Sequence, residues 1–221
     1  MRRLTLLWAA LLAAGGCSVT EDVLVVGPGP SPWLEPDAGW TVEHPVSGAE
    51  QPLAAHLGEN GEAWIVGTGG LLLHDAGNGW IREQCDGVHA SLAAVVAAGT
   101  GVYAAGAGGV IVRREPRRWA REASGTGENL RALVAGPDGA VWSAGSGGVL
   151  LRRSPSGWEK VPVPEAGGAD LTGLAVLDDT LVVSSAAGAV LGYAGGAWRR
   201  LGDFAPYGVQ QVVSVPGGLF A

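Results

Sequence analysis

Two pairs of adjacent arginines, Arg113-Arg114 and Arg152-Arg153, stand 39 residues apart in a chain of 221. Neighbouring guanidinium groups grip carboxylates and phosphates through paired N–H donors, so the spacing marks a candidate binding patch for an acidic partner. Arg117, Arg118, Arg121, Arg199 and Arg200 fall near the same points of the pattern. The bland alternative is that these side chains solubilise outer strands and pair with Glu115, Glu122 and Glu159. Catalytic candidates are scarcer. His44, His56, His74 and His89 share no metal-ligand spacing. No Ser occupies a nucleophile elbow and no Walker loop occurs. Asp178-Asp179 falls where a hairpin turn is due, a solvated position. The chain reads as one that binds rather than one that reacts, with no catalytic constellation, no cofactor and no metal.

One cysteine carries chemistry of a different kind. Arg2 and Arg3 precede an apolar run from Leu4 to Ala14, and small residues then lead into Ala14-Gly15-Gly16-Cys17. This is the order of a secretory signal peptide over residues 1–16, too short to span a bilayer. A small residue before Cys resembles the bacterial lipoprotein box, which implies acylation of Cys17 as the mature N-terminus. Ala14 stands where that box usually has Leu, and ordinary cleavage is the alternative. Ser18 is not the Asp that commonly retains lipoproteins at the inner membrane, so an exported outer-membrane lipoprotein is favoured over a soluble periplasmic or secreted protein. Cys85 reads as a small buried filler, because Asp86 and Glu83 disfavour a thiolate. Residues 17–39 form a Pro-rich tether, with Val23–Val26 apolar enough for one strand.

The arginines are positioned by a repeat. Trp40, Trp80, Trp119, Trp158 and Trp198 recur at intervals of 40, 39, 39 and 40 residues, each opening a segment such as GWIRE or RWARE. Trp64, Tyr103, Trp142 and Phe220 form a second column of the same period, with Leu181 standing in for the aromatic in the fourth unit. A period near 40 is that of β-propeller blades. The predicted fold is therefore all-β, a propeller of four-stranded blades over residues 40–221. Complete units span about 46–84, 85–123, 124–163 and 164–202. In each, a leading apolar strand is followed by a polar turn, a strand carrying the aromatic, a glycine corner such as Gly106-Ala-Gly-Gly109, a third strand and the tryptophan strand. The fourth corner, Ser184 to Gly188, is irregular.

A fifth blade could be closed from both termini, with Val209–Val215 and Leu219–Ala221 at one end and Val23–Val26 and Trp40–Glu43 at the other. A piece of a larger propeller is the alternative. The uncharged run Val88–Val112 mimics a membrane helix by hydropathy, but the repeat register makes it two buried strands. Charge is uneven. Residues 18–90 hold eleven acidic side chains against Arg82, whereas 91–221 hold ten against eleven basic ones. With a net charge of −7, nucleic-acid binding is a poor default.

The segments VGTGGLLLHDAGNGW and AGSGGVLLRRSPSGW resemble repeats of the BNR/Asp-box and photosystem II stability-factor-like propellers. Asp75, Gly77 and Trp80 match the Asp, Gly and aromatic of an Asp box, with Leu73 at its usual Ser/Thr position. The resemblance implies a structural role for these residues: the Asp bonds nearby backbone amides and the aromatic packs beneath. It also implies two modes of action, glycoside hydrolysis as in sialidases or protein binding as in assembly factors. The strands nearest the axis, LAAHL, LAAVVAA, LRALVA, LTGLAVL and VQQVVSV, offer only His56, Arg131 and Gln210-Gln211 as polar inward residues. The sequence thus favours a lipid-anchored, non-catalytic binding or assembly scaffold of the cell envelope with a protein or envelope partner. A hydrolase or lyase acting at the central mouth is the alternative.

Overall fold

The computed structural model describes residues 50–215 and 218–220, apart from 59, 100 and 117. The signal segment, Cys17, the tether, Val23–Val26 and Trp40 lie outside the described residues. Sixteen strands make four antiparallel sheets of four. The first holds β1 (Pro52–Leu57), β2 (Ala63–Gly67), β3 (Leu72–Asp75) and β4 (Trp80–Glu83), and the second β5 (Leu92–Ala98), β6 (Gly101–Gly106), β7 (Ile111–Glu115) and β8 (Arg118–Glu122). The third holds β9 (Leu130–Ala135), β10 (Val141–Gly145), β11 (Leu150–Ser154) and β12 (Gly157–Lys160), and the fourth β13 (Leu171–Leu177), β14 (Thr180–Ser185), β15 (Ala189–Ala194) and β16 (Ala197–Asp203). A separate hairpin pairs β17 (Val213–Val215) with β18 (Gly218–Phe220). Each sheet is a simple meander and forms one blade. The run Val88–Val112 contains β5 and β6, and no helix among the described residues is long and apolar enough to cross a membrane.

Contact chemistry explains the glycine corner. A Cβ on Gly106 would sit 1.9 Å from the carbonyl oxygen of Ser91, and the equivalent atoms on Gly67 and Gly145 would sit 2.0 Å from those of Gln51 and Asn129. The backbone of one strand end therefore presses on the start of the blade's first strand. The following amide uses the same carbonyl: Ala107 N–H donates to Ser91 O at 2.9 Å. In the fourth blade, Ala186 N–H donates to Asp170 O at 2.8 Å, so the bond survives the irregular sequence. Each first strand also carries a register shift near its start, as between Leu92 and Ala94.

The leading strands β1, β5, β9, β13 and β17 pack in succession around an axis. The core lies between blades rather than within them. Trp64, Val66 and Leu72 of the first blade meet Ala104, Val110, Val112 and Trp119 of the second. Trp142 and Leu150 of the third meet Leu181 and Val183 of the fourth. Such blades bury their faces only by stacking. The strand expected over Val209–Val215 begins only at Val213. Val209 and Val212 are buried against Ala175, Val182 and Val190, and the Thr172 hydroxyl donates to Val209 O at 2.5 Å.

Candidate functional site

One arginine of each pair, Arg114 and Arg153, reaches across the seam to the preceding blade. Arg114, on β7, donates from Nε and Nη2 to the Glu83 carboxylate at 3.0 and 2.8 Å. The Trp119 indole N–H donates to the same carboxylate at 2.6 Å, and the Arg114 guanidinium lies 4.9 Å above the Trp64 ring. One period later the arrangement repeats. Arg153 donates to Glu122 at 3.0 and 2.8 Å, Trp158 N–H donates to Glu122 at 2.7 Å, and Arg153 lies 5.4 Å above Tyr103. Burial works against ionisation of Glu83 and Glu122, but the arginine and indole hydrogen bonds outweigh it and hold both carboxyls below the ordinary 4.5.

The other two arginines are differently engaged. Arg152 pairs with Asp138 at 2.5 Å and lies 5.7 Å above Trp142. Arg113 lies 5.7 Å above Tyr103, with its buried Nε unbonded. Among the flanking arginines, Arg118 pairs with Glu115 and Arg200 with Glu165. The four arginines do not present one free basic face. A partner's carboxylate at Arg114, Arg152 or Arg153 would share a guanidinium whose Nε and Nη2 donors already serve Glu83, Asp138 or Glu122.

The tryptophan column is the other half of each seam. Trp119 meets Trp64 edge-on at 5.9 Å, and Trp158 meets Tyr103 at 6.3 Å. The third seam substitutes Tyr193 for the arginine: its ring lies 5.6 Å from Trp142 and 4.8 Å from Trp198, and Trp198 N–H donates to Pro162 O at 3.0 Å. Trp80 is half-buried against Ile65, Leu71 and Leu73. Above it the Asp-box-like turn has the geometry that the resemblance implies, with Asp75 Oδ1 accepting from the Gly77 and Gly79 amides at 2.7 and 3.0 Å. Sequence reasoning passed over the seam roles of Glu83, Tyr193 and the tryptophan N–H groups. The available signal was Trp-x-x-Glu at 80–83 and 119–122.

A cavity of about 270 Å³ opens among the inner strands. Its lining is mixed. The first two blades contribute Ala54, Ala93, Ala94 and Val95, and the rest of the wall sets Arg131, Thr172, Gln210 and Gln211 among Ala132, Leu133, Gly173, Leu174 and Val212. Arg131 is paired with Asp170 at 3.1 Å, so its charge is locally balanced. His56 does not line the cavity; it is half-buried on β1, and burial lowers its pKa. Thr172 is a polar inward residue that the sequence reading missed. Among the described residues no group of His, Cys, Asp and Glu side chains is arranged to hold a metal ion.

No protein-family model matches the chain, and no curated protein does. Solved structures do. YCF48 bound to D1 peptide aligns with a TM-score of 0.54 and 20% identity over 74% of this chain and 57% of that one. Sqt1 of Saccharomyces cerevisiae aligns with a TM-score of 0.61 and 14% identity over 79% and 56%. YCF48 from Cyanidioschyzon merolae gives 0.52 and 19% over 76% and 61%. The fold is a β-propeller. Identities this low concern the fold alone, and the chain spans between 56% and 61% of the length of these three propellers.

Proposed function

We propose that this protein is a non-catalytic propeller that binds another protein, or helps to assemble it, in the cell envelope, and that the axial cavity receives an extended peptide segment of the partner. The mixed lining carries this reading. A peptide presents amide donors and acceptors along its backbone and apolar side chains beside them. Gln210 and Gln211 offer both hydrogen-bonding senses, and Ala54, Ala93, Leu133 and Leu174 offer apolar surface beside them. The structure of YCF48 bound to D1 peptide supports peptide binding by a protein of this fold. The cavity lining among the described residues contains no carboxylate, so a hydrolase or lyase would need its acid from elsewhere.

Export and anchoring rest on Arg2-Arg3, the apolar run Leu4–Ala14 and Cys17. An array of extended peptides read with the native protein and with Arg131→Ala and Gln211→Leu tests the site. Both substitutions should weaken the same set of peptides without altering the melting temperature. Undiminished binding by both variants would remove the axial cavity from consideration. Detergent partitioning that is lost in Cys17→Ser, with an intact mass showing acylation, tests the anchor.

A further inference from the structure

Each of the first three blades pairs its column aromatic with a polar residue across the sheet: Trp64 with His74, Tyr103 with Arg113 and Trp142 with Arg152. In two of the three, a carboxylate from the turn between the first and second strands faces that residue. Glu62 lies 3.8 Å from His74 Nε2 in the first blade, and Asp138 accepts from Arg152 Nε at 3.1 Å in the third. The same turn of the second blade, Ala98-Gly99-Thr100-Gly101, contains no acidic residue. Gly101 stands five residues before the corner Gly106, the place that Glu62 holds before Gly67.

Arg113 is thereby left without a carboxylate of its own blade. Its buried Nε has no hydrogen-bond partner. The carboxylate of the seam, Glu122, already serves Arg153 and the Trp158 indole. Both guanidiniums lie against the Tyr103 ring, Arg113 at 5.7 Å and Arg153 at 5.4 Å, so two cations share one anion. Elsewhere the charges match, Arg114 with Glu83 and Arg152 with Asp138. A cation held partly out of water is costly until an anion meets it. Gly101 bears on the same place. A Cβ there would come within 3.2 Å of Arg113 Nε and 3.5 Å of the Tyr103 hydroxyl, so any side chain at 101 would close on both donors. Gly101 is not among the positive-φ glycines, so its backbone does not require one, and a strand glycine often marks the close approach of a ligand.

We propose that Arg113, with the Tyr103 hydroxyl beside it, binds a carboxylate supplied from outside the chain, which does for the second blade what Glu62 and Asp138 do within the first and third. The guanidinium presents a planar pair of N–H donors matched to the two carboxylate oxygens, and the phenol adds a third donor. The site lies at the seam between the second and third blades, apart from the axial cavity, and holds whether or not that cavity binds a peptide.

Titration of the full chain with an oligoglutamate peptide blocked at both ends, with acetate and with inorganic phosphate tests this, read by NMR of the arginine Nε–H signals. The Arg113 signal, assigned by its loss in Arg113→Gln, should shift saturably with the carboxylates, and affinity should fall as salt rises. Arg113→Gln should weaken binding by at least about tenfold, the scale of a hydrogen bond between charged groups. Gly101→Glu rebuilds the arrangement of the first blade and should block binding as strongly while keeping every arginine. Arg152→Gln, whose arginine is already paired with Asp138, should change affinity by less than about twofold. Melting temperatures of the variants check the fold; if Gly101→Glu unfolds, the two arginine variants still decide. A shift with acetate equal to that with the peptide assigns the site to small acids, and a shift with the peptide alone assigns it to an acidic protein segment; either upholds the proposal. No shift with either carboxylate, tighter binding of phosphate than of both, or equal losses in Arg113→Gln and Arg152→Gln would overturn it.

Discussion

Replacing Trp119 with alanine should be among the most damaging single changes in the chain. Its ring is 5% exposed, lies edge-on to Trp64 at 5.9 Å and donates to Glu83 at 2.6 Å. Truncation of a core Trp costs about 3–5 kcal/mol through lost burial and the cavity left behind. For a domain of this size each kcal/mol lowers the melting temperature by roughly 2–4 °C, so the total loss should be about 6–20 °C. Trp119→Phe separates the two contributions. It keeps most of the ring and removes the donor, and a hydrogen bond to a charged group is worth about 1.5–3 kcal/mol. Tyr207, 79% exposed, supplies the control; its substitution by Ala should stay within about 0.5 kcal/mol. Thermal melts and urea titrations followed by circular dichroism read all three. If Trp119→Ala melts within a degree or two of the native protein, the column is not what joins the blades. If Trp119→Phe matches the Tyr207 control, the indole bond to Glu83 adds nothing.

Because the Glu83 and Glu122 carboxyls are held below 4.5 in the folded protein, their contribution is complete above that value and is lost as pH falls through the folded pKa. Urea midpoints should therefore drop steeply below about pH 4.5, and Glu122→Gln should flatten that slope; an unchanged slope would refute the assignment. Gly106→Ala should cost at least about 3 kcal/mol through overpacking against Ser91 O. Gly108→Ala, at φ +63 with open space around it, should cost about 1–2 kcal/mol; equal losses would contradict the corner argument. Cys85 is 8% exposed, and burial together with Asp86 raises its thiol pKa. Its labelling by a thiol reagent at pH 7 should follow global unfolding, and rapid labelling of the folded protein would contradict that.

The blades were legible because two features recur with the period. In the first three units the corner residue has no room for a Cβ, as at Gly106, although Ser185 stands at the fourth corner, and each seam uses a large flat ring, as at Trp119. The destination of the arginines was not legible in the same way. Arg114 and Arg153 find their carboxylates 31 residues upstream, in the preceding blade, so local inspection of either unit shows only a basic pair. Tyr193 was opaque for the opposite reason. It does the work of an arginine at a seam where the glutamate is absent, and no column of identical residues points to it. The axial cavity was half visible: Arg131 and Gln210-Gln211 could be picked out from strand order, whereas Thr172 looked like an ordinary strand residue.

The first two seams each take their glutamate from one unit and their arginine and tryptophan from the next, and this makes the units that meet there exchangeable. If residues 84–122 were excised, Glu83 would run directly into Ala123 and stand where Glu122 now stands, facing Arg153 and Trp158, with Trp64 in place of Tyr103 beneath the guanidinium. Insertion of a further copy would restore both seams in the same manner. A gene for such a chain can therefore lengthen or shorten by whole units among the first three through unequal recombination without leaving an unmatched half-seam, provided that the crossover keeps the 39-residue frame. A crossover one residue out of frame would set the indole and the carboxylate on opposite sides of the strand.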